Sequence, residues 1–283
     1  MKITILDNAT LANTSLNCIA ELGELTVHQL TSPEQVVAHS ANAEVLITNK
    51  VVINRDTMRQ LSALKLICVS ATGTNNVDLE AAKEFGIAVT NVAGYSTPSV
   101  VQHTFSLITN LLGNTHRYQA DCQQGAWQKS EMFCRLDYSF NDLQGKTLAI
   151  IGGGTLGKAV AKVADAFGAH VVVAERKGAS CRAGRIPFME AITTADIISV
   201  HCPLTDETRD LITLNELKMM KPSSLIINTA RGGIINEADL ATALQQQLIA
   251  GAGVDVLTKE PAEINNPLAN YQGDNLLLTP HIA

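Results

Sequence analysis

The stretch IIGGGTLGKAVAKVADAFGAHVVVAE, from Ile150 to Glu175, decides how the chain is read. An apolar run leads into Gly152-Gly153-Gly154-Thr155-Leu156-Gly157, a GxGxxG pattern, and a second apolar run, HVVVAE, closes on an acidic residue. GxGxxG alone is a weak signal, because Gly-rich turns are common. Its surroundings make it specific. TLAIIG (Thr147–Gly152) reads as a strand, and the following segment carries Ala159, Ala161 and Ala164, small enough for a helix to lie close on a sheet. In such a unit Gly152 permits the tight turn, Gly154 leaves room for a pyrophosphate against the backbone, and Gly157 lets helix and strand approach. The anion would sit at the helix N-terminus, where free N–H groups and the helix dipole attract it. Glu175 lies 23 residues after Gly152. A carboxylate there can accept hydrogen bonds from both ribose hydroxyls of NAD and repels a 2′-phosphate. Arg176 and Lys177 follow directly, so NAD is favoured while NADP stays open.

Outward from this unit the pattern repeats. HVVVAE, IISVHC, SLIINTA, AGAGVDV and NLLLTP read as further strands with helices between them, five or six in all, enough for a doubly wound sheet. Towards the N-terminus, KITILD (Lys2–Asp7), VLIT (Val45–Thr48), KLICVS (Lys65–Ser70) and AVTN (Ala88–Asn91) read as strands, with helices over Pro33–Ser40 and Asn54–Leu61. Alternating strands and helices imply a parallel sheet covered on both faces. One long helix is expected from about Ser99 to Gln123, then a connecting loop over GAWQKSEMFCRLDYSFNDLQG. The fold class is therefore α/β, with two doubly wound parallel-sheet domains, residues 1–98 and 99–283, and a cleft between them.

The composition agrees. For 283 residues, two domains of roughly 100–200 residues each are expected. Hydrophobic residues make up 46% and charged residues 17%, which suits a globular protein rather than a disordered chain. A net charge of −6 and the lack of any Lys/Arg run argue against a nucleic-acid partner. No signal peptide is visible, and no apolar stretch reaches the roughly 18 residues of a membrane span. The six cysteines form no CxxC pair, so they read as small core residues in a reducing cytoplasm, not as a disulfide frame or zinc site. No His/Cys/Asp/Glu cluster has metal spacing, and no GxSxG nucleophile turn occurs.

Hydride transfer asks the protein for an acid–base group at the carbonyl oxygen, a cation for a substrate carboxylate, and positioning. The ends of the later strands offer all three. Arg231, in NTARGG, could grip a carboxylate at two points, and the glycines after it would keep the loop small enough for a substrate to approach. Glu260 lies in GVDVLTKEP, with Asp255 at the end of that strand, and His281 follows NLLLTP. A carboxylate beside His281 would favour the imidazolium, fitting it for general acid–base work. His103, among apolar neighbours on the long helix, reads as a packing residue. His201 ends IISVHC on the adenine side.

GKTLAIIGGGTLG, VHCPLTDETRDLI, MKPSSLIINTARGGIINEADL, AGAGVDVLTKEP and NLLLTPHIA together resemble the D-isomer-specific 2-hydroxyacid dehydrogenases, over essentially the whole chain. GYSTPSVVQHTF and LTKEP…NPL resemble the glycerate dehydrogenase/hydroxypyruvate reductase branch. The resemblance implies a flavodoxin-like substrate domain and a Rossmann NAD-binding domain. Arg231 would hold the substrate carboxylate, His281 would move the proton, and Glu260 would orient His281. Backbone N–H groups of Thr72-Gly73-Thr74-Asn75 would add contacts to the carboxylate. Besides Gly152, Gly154 and Gly157, cofactor contacts would come from Thr155, Leu156, Glu175, Pro203, Thr229, Ala230 and Asp255. A small 2-keto or 2-hydroxy acid, hydroxypyruvate or D-glycerate, is the implied substrate, bound in the cleft with closure excluding water. The implied assembly is a homodimer built through residues 99–145. Two departures stand out. Val101-Gln102 replaces the usual Ala-Glu, and the family continues past PHIA with a helix that packs on the first domain. That domain is thus expected to lack its closing helix. The competing expectation is a non-catalytic NAD(H)-sensing regulator on the same fold.

Overall fold

Short parallel strands separated by helices build two sheets, one in each of two compact units, Met1–Tyr95 and Ser96–Ala283. The computed structural model describes residues 1–283.

In the first unit the strands are β1 (Lys2–Ile5), β2 (Glu24–Val27), β3 (Val45–Thr48), β4 (Leu66–Val69) and β5 (Ala88–Asn91). They lie in the order β2-β1-β3-β4-β5, all parallel, the flavodoxin-like arrangement. Ile5, Leu46 and Ile67 from the inner strands are completely buried. The flanking helices start on capping side chains. Asn54 accepts the Thr57 N–H ahead of Arg55–Gln60, and Asp78 accepts the Ala81 N–H ahead of Leu79–Glu84. β2 was not among the expected strands. It is an edge strand with three of its four residues exposed, so its sequence, ELTV, lacks the apolar run that marks the central strands.

The second unit opens with a helix, Thr97–Gly113, that carries Pro98 in its first turn and packs on the second sheet. The expected single helix to Gln123 is in fact two. Asn114 takes a left-handed conformation (φ 48°, ψ 35°), and a second helix runs Thr115–Gln123. Asn tolerates this backbone, and the Asn110 carboxamide oxygen accepts the His116 N–H across the break at 2.9 Å. Beyond it the chain makes one short 3-10 turn, Trp127–Lys129, and otherwise irregular structure up to the next strand.

The second sheet contains β6 (Thr147–Ile151), β7 (His170–Ala174), β8 (Ile197–Val200), β9 (Leu225–Asn228), β10 (Gly251–Val254) and β11 (Leu276–Leu278). Its order is β11-β10-β9-β8-β6-β7, all parallel. Outside β7 the sheet is extended by a single residue. Ile186 bridges Ala174, donating its N–H to Val173 O at 3.0 Å and accepting the Glu175 N–H at 2.8 Å. Counting that residue, the order is 3-2-1-4-5-6-7, the dinucleotide-binding arrangement with its third strand reduced to one bridge. β8, β9 and β10 are buried along their whole length, as expected of strands covered on both faces. The chain leaves β6 towards both sides of the sheet, so the turn after β6 lies at the topological switch point.

Candidate active site

The turn at that switch point has the separate glycine roles expected of it. Gly152 has φ +104°, and a Cβ there would lie 2.5 Å from Cys202 N and His201 C. Gly157 begins the close packing of the helix Thr155–Ala166, where a Cβ would lie 2.1 Å from Gly152 O. Gly154 differs from both, since a Cβ there would meet nothing within 4 Å. Steric crowding therefore accounts for Gly152 and Gly157, but not for Gly154. No side chain caps this helix, so its first N–H groups, including those of Thr155 and Leu156, are available to an anion. A cavity of about 790 Å³ opens on the turn, lined among others by Gly152, Gly154, Glu175 and Pro203. Its position and size fit the adenosine and pyrophosphate part of a dinucleotide.

Glu175 follows β7 and is 2% exposed. Its carboxylate does not stand open to a ribose. Arg182 Nε donates to Oε2 at 2.7 Å and Nη2 to Oε1 at 2.5 Å. The N–H groups of Arg176 and Arg182 add bonds of 2.9 and 3.2 Å. The Arg182 guanidinium, helped by these N–H groups, holds the carboxyl far below the usual carboxylate range.

The predicted catalytic residues come from three adjacent strand ends, those of β9, β10 and β11. Arg231 sits in the turn after β9, which the Asn228 side chain braces by accepting the Ala230 N–H at 3.1 Å and donating to Arg231 O at 2.9 Å. The Arg231 guanidinium donates to Ala230 O at 2.7 Å and is partly exposed. Gly232 serves a different end from the one expected. It is buried, and a Cβ there would lie 1.9 Å from Leu257 C, so its smallness admits the backbone after β10 rather than a substrate. Glu260 lies on that stretch of backbone. Its Oε1 accepts the Leu257 N–H at 2.9 Å, and its Oε2 meets His281 Nδ1 at 2.6 Å. With Nδ1 held by the carboxylate, Nε2 is the nitrogen left to face a reactant. The His281 backbone has φ +52°, and its N–H is anchored to Asp255 O at 2.8 Å.

Asp255, expected to touch the cofactor, has its carboxylate bonded to the segment that carries His281. It accepts the Thr279 hydroxyl at 2.5 Å and the N–H groups of Ile282 and Ala283 at 3.1 and 3.0 Å. His103 joins this group as a packing histidine whose ring is satisfied by polar partners. His103 Nε2 lies 2.9 Å from Thr279 Oγ1 and 3.3 Å from Asp255 Oδ1. Nothing in the sequence near His103 announces partners some 150 to 180 positions away. Thr229 is buried and shares a 2.9 Å hydrogen bond with Thr104, so its hydroxyl is turned to the first helix of the unit. Ala230 is buried beside it.

His201 is buried, bonds Ser199 through Nε2 at 2.8 Å, and leaves Nδ1 without a partner. Burial lowers its pKa to about 4, so it is neutral at neutral pH. The cysteines are not the core residues expected. All six are free thiols, three exposed and three half-buried. Burial pushes the Cys202 thiol up to about 11, which leaves it unreactive at neutral pH. No three His, Cys, Asp or Glu side chains converge as a metal site requires. No helix is long and apolar enough to cross a membrane.

In the first unit, Thr72-Gly73-Thr74-Asn75 follows the C-terminal end of β4. The Thr72 hydroxyl donates to Val92 O at 2.9 Å, and Asn91 donates to Thr72 O at 2.7 Å. Thr72 and Asn75 are exposed.

A Rossmann sheet, a glycine turn beside a cavity, and a His–carboxylate pair and an arginine on neighbouring strand ends define the class, a nicotinamide-dinucleotide oxidoreductase. Comparison with known proteins agrees. Residues 105–283 match the family model for the D-isomer specific 2-hydroxyacid dehydrogenase, NAD binding domain. A glycerate dehydrogenase of Methylorubrum extorquens is 41% identical over 89% of this chain and 79% of its own length. A hydroxypyruvate reductase of Blautia hydrogenotrophica is 33% identical over 100% of this chain and 90% of its own. The crystal structure of the TT0316 protein from Thermus thermophilus superposes with a TM-score of 0.87 at 32% identity, covering 100% of this chain and 89% of that one. The chain belongs to the D-isomer-specific 2-hydroxyacid dehydrogenase family, and is an NAD-dependent oxidoreductase acting on a CH–OH group.

Proposed function

We propose that this chain interconverts a small 2-keto acid and its 2-hydroxy acid, with hydroxypyruvate and D-glycerate as the preferred pair. The His281–Glu260 contact at 2.6 Å carries the reading, because it supports an oriented acid–base group at the end of β11, two strands from the one that leads into the Arg231 turn. When bound, NAD(H) supplies or accepts the hydride. Thr155 and Leu156 offer N–H groups to its pyrophosphate beside Gly154, and Pro203 lines the same cavity. Arg231 binds the substrate carboxylate through its fork of donors and polarises the carbonyl. His281 gives its Nε2 proton to the carbonyl oxygen in reduction and recovers it in oxidation, while Glu260 fixes Nδ1 and stabilises the imidazolium. On the family pattern alone, the Thr72–Asn75 loop is assigned further N–H donors for the carboxylate. The preference for hydroxypyruvate rests on the names of the two relatives.

The assembly proposed is a homodimer. In the irregular segment after Gln123, Phe133 is 91% exposed, and Leu136, Phe140, Met132 and Trp127 are also exposed, an apolar surface suited to a second copy. Six unpaired thiols suit a cytoplasmic setting.

The test is oxidation of NADH by hydroxypyruvate, glyoxylate and pyruvate, followed by loss of reduced-nicotinamide absorbance, with NADH binding measured in parallel. Turnover led by hydroxypyruvate supports the assignment. Turnover led by another acid replaces the substrate, and binding without turnover favours the sensing regulator.

A further inference from the structure

The loop that ends the second strand of the Rossmann unit is unusually cationic for a site built around a carboxylate. Arg176, Lys177, Arg182 and Arg185 all line the cavity at the glycine turn, against two carboxylates, Glu175 and Glu207. Their engagements differ. Lys177 is drawn away to Glu216 at 2.9 Å. Arg185 stands 3.7 Å from Glu175, and Arg182 grips Glu175 at two points. The exposed Arg176 makes no ion pair with any carboxylate.

A carboxylate has about four acceptor positions. Those of Glu175 are met by four donors: two from the Arg182 guanidinium and one each from the Arg176 and Arg182 backbones. In this arrangement Glu175 has no acceptor to spare for the ribose diol. Its negative charge, which would otherwise repel a phosphate, is paired with a guanidinium whose side chain is 58% exposed. An exposed arginine, with a second unpaired one close by in sequence, is the donor set that a phosphate dianion recruits.

We propose that the Glu175–Arg182 pair adapts the adenosine end of this cavity to a 2′-phosphorylated dinucleotide, so that the chain accepts NADP(H) as well as NAD(H). Arg182 and Arg176 hold the 2′-phosphate, and Arg182 shields it from Glu175. Lys177 takes no part because Glu216 holds it. The inference rests on the reading that a dinucleotide occupies the cavity at the glycine turn. The opposing account is that Arg182 only fills the place of a ribose and swings aside when NAD binds.

Equilibrium binding separates the two without relying on turnover. The probes are 5′-AMP and adenosine 2′,5′-bisphosphate, measured by calorimetry on the full chain, with NADH and NADPH titrated by fluorescence. The bisphosphate should bind about tenfold more tightly than 5′-AMP, the gain from one charged hydrogen-bonded group. Arg182→Gln should remove most of that advantage. Arg176→Gln, at an exposed position with no ion pair to break, should reduce it several-fold. Thermal unfolding shows whether each variant is folded. Binding of 5′-AMP with no gain from the 2′-phosphate overturns the proposal. So does a gain that both arginine variants leave intact. If neither nucleotide binds, the cavity is not the dinucleotide site, and the inference falls together with the reading beneath it.

Discussion

Gly154→Ala and Gly157→Ala form a pair of opposite expectations from two glycines three residues apart. At Gly154 the backbone is extended (φ −78°, ψ −162°), which alanine adopts freely, and the new Cβ meets no atom within 4 Å. Alanine is a poorer helix cap than glycine, but it also restricts the unfolded chain by roughly 0.4–1 kcal/mol, so the net change stays within about 1 kcal/mol. At Gly157 alanine gains helix propensity of about 1 kcal/mol. Against that, its Cβ would stand 2.1 Å from Gly152 O and 2.9 Å from Ile150 Cγ2. Relieving that overlap requires the helix or the turn to move, and overpacking of this kind costs about 1–3 kcal/mol or more. At roughly 2–4 °C per kcal/mol, Gly157→Ala should lower the melting temperature by several degrees while Gly154→Ala barely changes it. Cofactor binding should separate the two differently. A methyl on Gly154 occupies the space through which the pyrophosphate reaches the helix N–H groups. Losing one charged hydrogen bond of about 1.5–3 kcal/mol weakens NADH binding about ten- to hundredfold. Fluorescence titration with NADH and thermal unfolding of both variants are the assays. If Gly154→Ala binds NADH within twofold of the parent, the pyrophosphate does not lie against this turn, and the glycine argument fails.

Removing the His281 imidazole (His281→Gln) should reduce kcat by about 10²–10⁴-fold with little change in KM, the loss of a general acid; near-normal turnover would refute its role. Glu260→Gln should move the pH profile of kcat/KM as well as its height, because the group facing His281 Nδ1 changes from a carboxylate to an amide; an unshifted profile would remove Glu260 from the mechanism. Asp255→Ala leaves the Thr279 hydroxyl and two backbone N–H groups without their acceptor, and should cost about 3 kcal/mol or more in thermal or denaturant unfolding. Acid should destabilise the protein in two stages. His201 has a folded pKa lowered to about 4, so its contribution is intact above pH 6.5 and is lost as pH falls from there to about 4, on the order of 3 kcal/mol. Glu175, also lowered, keeps its contribution above its ordinary value of 4.5 and loses it only below that. His201→Asn should flatten the first stage and leave the second, as read from unfolding midpoints across pH.

The parts of the fold legible in the sequence were those where one local rule acts alone. VLIT and AVTN gave the strands Val45–Thr48 and Ala88–Asn91 because apolar, β-branched runs between turns have few alternatives. The glycine turn could be read because backbone sterics and anion access impose residue type directly. Exposure alone does not explain why β2 escaped, because AVTN is an edge strand of the same exposure and was legible. The third strand of the second sheet escaped because one residue, Ile186, has no period. The break at Asn114 is bridged by a hydrogen bond from the His116 N–H to the Asn110 side chain that no propensity encodes. The site divides the same way. His281, Glu260 and Arg231 could be placed because strand ends of a parallel sheet converge. Arg182 on Glu175 and His103 on Asp255 could not, since each follows from side-chain geometry that only the folded chain defines.

Those two contacts explain why two carboxylates expected to serve the cofactor behave differently. Both are buried and fully bonded. The donors on Asp255 are two backbone N–H groups and a threonine hydroxyl, with a histidine that is only 15% exposed packed behind the threonine. Releasing them means unseating the segment that holds His281 in its left-handed conformation. The principal donor on Glu175 is an arginine side chain more than half exposed, which can meet a phosphate from the solvent side while it still holds the carboxylate. Under the proposed mechanism Asp255 therefore acts through the position of His281, as a fixed part of the fold. Under the proposed adaptation Glu175 acts on cofactor choice through an exposed partner. Substitutions around Arg182 should then change which dinucleotide binds without changing proton transfer. Substitutions around Asp255 should change proton transfer first.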